Sequence, residues 1–408
     1  MRILRVTAKP EAVGLSSERL ERVKGWMEAK VASGELPGLS VAVVRRGEVA
    51  FVAYHGRMDI EADKPVSESS IFRIYSMTKP MVAVAALSLH EQGKFQLDDP
   101  LSRHLPRFAE MQVAVEEGGR PRLVPAGRPI SVRDLFTHTS GLVYGHSASK
   151  FVAEIYAANG VDFSNSRAGI SLAEMVDRVS EVPLVCQPGA AWNYGISTDV
   201  LGRLVEVLAE QPLDEVLAKR ITGPLGMADT GFHVPAQKLD RFAACYSREN
   251  GKTVLSDPPA NSRFATPPDL FSGGGGLVST LGDYERFCRM LANKGALDGT
   301  SLLGRKTVEY MSSNHLPGDM AAMGQPRWSE TTYEGIGFGL GVAVMIEPAR
   351  AHVVGSVGEY HWGGVAGTAF WIDPAEEMYV ILMTQVMPSS ALPLRRQLRV
   401  LTYQAIVD

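Results

Sequence analysis

Two Ser-x-x-Lys tetrapeptides stand out in this chain of 408 residues: Ser76-Met-Thr-Lys79 and Ser147-Ala-Ser-Lys150. On a helix, residues three apart share a face at roughly 5–6 Å, so a lysine there can reach the serine oxygen. Such a pair suits nucleophilic catalysis: the serine attacks, and a lysine whose pKa falls on burial serves as its base. In a serine-rich chain the tetrapeptide also arises by accident, and context separates the two copies. Ser76 follows a strand-like run, IFRIY (71–75), and opens the strongly apolar stretch SMTKPMVAVAALSLHEQGK (76–94). A helix N-terminus offers free N–H groups and positive dipole to an oxyanion. Ser147 lies instead in GLVYGHSASK, a Gly/Ser/His-rich stretch that reads as a solvated turn.

Other chemistries have little support. No Gly-x-Ser-x-Gly elbow is present, which disfavours a Ser-His-Asp triad of the α/β-hydrolase kind. The nine histidines are scattered without His-Glu-x-x-His or a close His/Cys cluster, so no catalytic metal is expected. His138 in THTSG reads as a turn or helix-end residue. Gly273 to Gly276 superficially resemble a phosphate loop, but no Gly-Lys-Ser/Thr follows, and a tight turn is expected there.

The elements that must position Ser76 and Lys79 follow from periodicity. Residues 16–34 carry apolar positions at helical spacing with a Ser start and a Gly stop. LSVAVVRRGEVAFVAYHG (39–56) is two β-rich runs around a turn. In the 76–94 helix Pro80 falls in the first turn, where it is tolerated, and Gly93 lies at the end. From 98 to 270 the pattern is mostly helical, with helices near 131–138, 171–181, 197–210 and 212–222. A glycine-rich turn then leads into a helix within 272–295. GFGLGVAVMIE, HVVGSVGEY, VAGTAFWID and MYVILMTQV follow as four strand candidates, and a helix over 390–407 closes the chain. The expected architecture is an α/β (α+β) unit, residues 1–97 and 271–408, with a central antiparallel sheet. A mainly helical domain, 98–270, is inserted, and the active site lies in the groove between them.

The bulk numbers fit an enzyme of this size. The chain is 45% apolar and 21% charged, with formal charge −4, the range of an ordinary globular protein. No basic run with interleaved aromatics suggests nucleic acid. Three distant cysteines (Cys186, Cys245, Cys288) read as reduced thiols. The N-terminal segment has a basic start, but charges interrupt it before an h-region, and no apolar stretch approaches the roughly 20 residues of a membrane span. A cytoplasmic protein without a membrane partner is expected.

The segments SMTK (76–79), LFTHTSGL (135–142), PGAAWNYGISTDVLGRLVE (188–206), PLGMADTGF (224–232), SGGGGLVS (272–279) and HWGG (361–364) run in order along almost the whole chain. In that order they resemble the family VIII carboxylesterases, the esterase branch of the class C β-lactamase and DD-peptidase superfamily. A fungal acyltransferase that loads a side chain onto a polyketide core is a similar relative. The resemblance implies the serine β-lactamase-like fold, an antiparallel sheet flanked by helices with a helical domain beside it. It makes Ser76 the acylated nucleophile, with Lys79 beside it. Tyr194 of NYGI matches the tyrosine of the family's second motif. A neighbouring ammonium would stabilise its phenolate, so that Lys79 and Tyr194 share the role of base. Trp362-Gly363-Gly364 stands where β-lactamases carry Lys-Thr-Gly. This implies an oxyanion hole from the backbone N–H groups of Ser76 and Val365, and a pocket wall at Trp362.

Two departures from the family pattern bear on substrate. Ile196 replaces the asparagine of Tyr-x-Asn, with Ser197 next to it as a candidate stand-in, and the lysine of Lys-Thr-Gly is missing. A site without them loses a charge-assisted contact of roughly 1.5–3 kcal/mol to a β-lactam carboxylate, and a preference for uncharged esters follows. Tyr144, just after THTSG, is a further candidate pocket residue. The expected activity is hydrolysis of short- to medium-chain carboxylic esters with no cofactor. Alternatives are acyl transfer to an alcohol or amine, a weak β-lactamase or D-amino-acid peptidase, and a non-catalytic binding relative.

Overall fold

Both ends of the chain build one sheet. The computed structural model describes residues 3–164, 169–328 and 331–408; Met1 and Arg2, the basic start read above, lie outside them. Eight strands are β1 (Gly38–Arg45), β2 (Glu48–Asp59), β3 (Lys64–Pro65), β4 (Ile336–Phe338), β5 (Ala343–Met345), β6 (Tyr360–Gly363), β7 (Ala369–Asp373) and β8 (Met378–Thr384). Their order across the sheet is β4-β5-β6-β7-β8-β1-β2-β3, and every neighbouring pair is antiparallel. At the centre Val41 lies opposite Leu382 and Ala42 opposite Ile381.

The two central strands read GLSVAVVR and MYVILMT, apolar on both faces, because both faces are covered. Alternation then sorts the side chains. Val41, Val43, Val380 and Leu382 enter one core with Val23 and Met27 of helix α1 (Ser17–Ala32) and Leu398 of the C-terminal helix (Leu394–Tyr403). Ala42, Val44, Ile381 and Met383 enter the other, which holds the helix α2 (Thr78–Glu91). Every residue of α2 from Thr78 to Leu89 is buried, as a helix apolar all round must be. Ser16 caps α1, accepting from the Arg19 N–H at 3.3 Å, and Gly34 beyond its end takes φ 71°.

Between the sheet's two halves run helices at Val132–Thr137, Lys150–Ala158, Leu172–Val179, Ser197–Ala209 and Leu213–Leu217. The mostly helical pattern of 98–270 also concealed two hairpins, Gln112–Glu117 with Arg120–Pro125 and Cys245–Glu249 with Lys252–Asp257. The first is polar and largely exposed, so it lacks the buried apolar alternation that marks a strand in sequence. The strand candidate over 352–360 is corrected: only Tyr360 belongs to a strand. Two glycines interrupt the segment and Val354 and Val357 are exposed.

Candidate active site

The short strand Phe72–Arg73 pairs with Val278–Ser279, and the Ile74 N–H donates to the Leu277 carbonyl at 3.1 Å. This clamp holds the run into Ser76 against the segment after the glycine turn. Arg73, fully buried, anchors it further, with Nε donating to Asp257 Oδ2 at 2.7 Å. Ser76 lies in a 3-10 turn, Tyr75–Met77, that leads directly into α2. Tyr75 has φ 43°, a left-handed conformation that is an outlier for a bulky side chain and stores strain where the chain reverses.

Lys79 follows one helical turn on and is buried. Its Nζ donates to Ser76 Oγ at 3.4 Å, to the Tyr144 hydroxyl at 3.0 Å and to the Gly274 carbonyl at 2.7 Å. The Tyr194 hydroxyl donates to Ser76 Oγ at 2.7 Å, and Lys79 Nζ stands 4.6 Å from the Tyr194 ring centre. Ser76, Lys79 and Tyr194 are thus brought together, and Tyr144 joins them through the ammonium.

The electrostatics reverse one expectation. Burial pulls the Lys79 ammonium down, and this is the largest single influence. Tyr144, Tyr194 and Asp199 together outweigh it and hold Lys79 above the ordinary lysine value. The lysine of lowered pKa expected from sequence is corrected to a fixed cation. Burial pushes the Tyr144 phenol up, opposed by Lys79, so Tyr144 stays neutral. Asp199 is fully buried and its carboxyl is pushed up by burial. Its Oδ1 accepts from Ser272 Oγ at 2.6 Å and the Gly274 N–H at 2.9 Å. That fixes the turn whose carbonyl holds Lys79, and the tight turn expected at 273–276 turns out to be a lysine support.

Ser76, Tyr144, Tyr194, Ile196, Trp362, Gly363, Gly364 and Val365 all line one cavity of about 730 Å³. Trp362 packs against Tyr194 and Phe338 with ring centres 5.4 and 5.3 Å away. Gly364 is required to be small: a Cβ would come within 2.5 Å of the Ile74 carbonyl. Ser197 does not line the cavity. It is buried, with its hydroxyl 2.9 Å from that of Ser140, so the side chain does not take the asparagine's place at the substrate. Ser147 and Lys150 are exposed, and Lys150 lies 3.8 Å from Glu154. His138 ends the helix Val132–Thr137 with φ 56° and packs among Trp192, Tyr194 and Phe338. Desolvation, then Lys79, depress its pKa strongly, so it is a neutral wedge behind Tyr194. Among the described residues no His/Cys/Asp/Glu cluster could hold a metal ion. Sequence reasoning missed Asp199, the Gly274 carbonyl, Tyr75 and Arg263, which also lines the cavity; none belongs to a recognisable spacing.

A sheet of this order, with a Ser-x-x-Lys helix start facing a tyrosine across a cavity, defines the β-lactamase-like fold. The chain belongs to the Beta-lactamase family, whose model matches residues 23–404. It is similar to Protein Rv1367c of Mycobacterium tuberculosis, 35% identical over 87% of each chain. It also resembles Esterase EstB of Burkholderia gladioli, 32% identical over 92% of this chain and 93% of that one. Among solved structures it superposes on EstCE1, described as a hydrolase with promiscuous acyltransferase activity, with a TM-score of 0.81. That pair is 27% identical over 96% of this chain and 99% of the other. Among the described residues no helix is long and apolar enough to cross a membrane.

Proposed function

We propose that the protein is a serine carboxylesterase that hydrolyses short- to medium-chain carboxylic esters through a covalent Ser76 acyl-enzyme. The observation that carries this reading is the 2.7 Å hydrogen bond between the Tyr194 and Ser76 hydroxyls, with the Lys79 ammonium 3.4 Å from the same oxygen. In acylation Tyr194 reacts as the phenolate, a form that the adjacent Lys79 cation favours. In that form the 2.7 Å hydrogen bond runs from Ser76 to Tyr194, which takes the hydroxyl proton as Oγ attacks the ester carbonyl carbon. The developing oxyanion is received by the Ser76 and Val365 N–H groups, an arrangement worth a few kcal/mol in the transition state. The tetrahedral intermediate then expels the alcohol, which takes the proton from Tyr194. Water repeats the sequence on the acyl-enzyme and releases the acid. Trp362 walls the cavity, and no cofactor enters any step.

The name of the Burkholderia gladioli relative supports the esterase reading. That of EstCE1 favours a second reading, in which an alcohol or amine replaces water as acyl acceptor. Three free thiols, two of them buried, support a reducing, cytoplasmic setting. The test is hydrolysis of p-nitrophenyl acetate, butyrate and octanoate by wild type and Ser76→Ala, beside a chromogenic cephalosporin, with intact mass to detect the acyl adduct. Ester turnover and an adduct, both lost in the variant, are expected. An inert wild type without an adduct would overturn the proposal. Adding a nucleophilic alcohol and finding the transesterified product would favour the second reading.

A further inference from the structure

The cavity carries a charge that the chemistry of Ser76 does not use. Arg263 lines it, together with Tyr75 and Ser76. Its guanidinium lies 4.8 Å from the Phe264 ring centre, and that ring meets Tyr75 edge-on at 5.9 Å. Two ring contacts thus link Arg263 to Tyr75, the residue before the nucleophile. No carboxylate among the described residues lies within ion-pair distance of it. Asp257 is engaged by Arg73. Asp162 lines the same cavity and accepts from the Ser164 N–H at 2.8 Å.

The other two arginines of the lining are committed elsewhere. Arg399 pairs with buried Glu359 at 2.7 Å, and Arg395 donates to the Gly364 and Thr368 carbonyls at 2.9 and 3.3 Å. Burial in this wall, the largest influence on Arg263, pulls its pKa down. Asp257 and Asp162 attract Arg263 only from beyond ion-pair distance, so its partial burial costs free energy that an anion entering the cavity recovers.

Resting on the esterase reading of the same site, we propose that Arg263 recognises a carboxylate on the substrate remote from the ester that Ser76 attacks. The preferred class is then monoesters of dicarboxylic acids, or esters of hydroxy acids. The cation that is missing from the edge strand, where Trp362 stands, is supplied from another element, so the carboxylate is held at a different place from that of a β-lactam.

The test compares monomethyl with dimethyl esters of succinic, glutaric, adipic and suberic acids, as the ratio of kcat/KM values in wild type, Arg263→Gln and Arg263→Lys. At the chain length that spans Ser76 to Arg263 the wild type favours the monoester by at least about tenfold. In Arg263→Gln the ratio collapses through KM, and Arg263→Lys retains part of it. A wild-type ratio below one at every length, or a ratio unchanged in Arg263→Gln, would overturn the proposal. Calorimetric titration with adipate separates this from failure of the esterase reading. Binding that is lost in Arg263→Gln, in a protein that turns over no ester, sinks the esterase and keeps the anion site. Absence of adipate binding to wild type sinks the anion site whatever the esterase does.

Discussion

Replacing Lys79 by methionine tests the central electrostatic inference, because the two side chains are close in length and the change removes the ammonium with its charge and its hydrogen bonds. Lys79 is buried, and its ammonium stands 4.6 Å from the centre of the Tyr194 ring over which a phenolate charge spreads. At an effective dielectric of about 20, unit charges at that separation attract by about 3.6 kcal/mol. That attraction favours the phenolate form of Tyr194 from which the proposed mechanism starts, so its loss disfavours the reactive form and lowers kcat/KM by up to roughly four-hundred-fold. The assay is p-nitrophenyl acetate hydrolysis from pH 6 to 10, with Ser76→Ala as the baseline and circular dichroism to confirm folding. The sign of the pH dependence is fixed as well. Lys79 in the fold is held above its ordinary value, so it remains charged through this window and contributes no limb to the wild-type profile. Its stabilisation of the fold is likewise present below about pH 10 and is lost only on the alkaline side. A folded Lys79→Met variant within tenfold of wild type would refute the reasoning. So would a wild-type activity that falls between pH 7 and 9 with the lysine shown to titrate there.

The two tyrosines should separate in the same assay. Tyr194→Phe removes the group bonded to Ser76 and is expected to cost about 10²–10⁴-fold in kcat; Tyr144→Phe leaves Lys79 its Gly274 carbonyl and should cost at least tenfold less than Tyr194→Phe, so equal losses would contradict the assignment. Gly274→Ala would drive a Cβ into the Asp199 carboxylate and displace the Lys79 support, lowering kcat more than KM; wild-type kinetics from this variant would show that the turn is not needed. Burial pushes Glu359 up, but Arg399 and His361 outweigh it and hold the carboxyl at about 2. The resulting stability is present above the unfolded value of about 4.3 and is lost as pH falls toward 2. Glu359→Gln should flatten that slope in Tm against pH and cost about 3–5 kcal/mol at neutral pH by removing the buried carboxylate from its pair with Arg399, and an unchanged slope would exclude Glu359 as its source.

The sheet was legible because GLSVAVVR and MYVILMT have no polar alternation and therefore need cover on both faces, which the flanking amphipathic helices supply. Ser76 and Lys79 were legible because a helix fixes the geometry of residues three apart. Tyr194 was legible only through family likeness, since nothing local to NYGI says which side chain it will meet. The direction of the Lys79 pKa was misjudged for a physical reason: sequence shows that the residue will be buried, but its partners Tyr144, Asp199 and Gly274 come from three separate segments. Arg263 illustrates the same limit. Its role depends on which carboxylates fail to reach it, a property of the whole fold. The 112–125 hairpin escaped because a polar, exposed strand carries no burial signal.

The pairing of β1 with β8 joins the first strand of the chain to the last long one. Folding therefore closes a very long loop at the centre of the sheet, and such non-local pairing is slow. During synthesis Ser76 and Lys79 leave the ribosome long before Trp362, Gly363 and Gly364 exist, so shorter nascent fragments hold the serine without the opposite wall of its cavity. A chain interrupted anywhere before β8 leaves β1, an eight-residue strand buried throughout in the finished protein, as an uncovered edge. Premature termination should thus yield aggregates and no partially active esterase, and release of activity in a translation time course should coincide with completion of the chain.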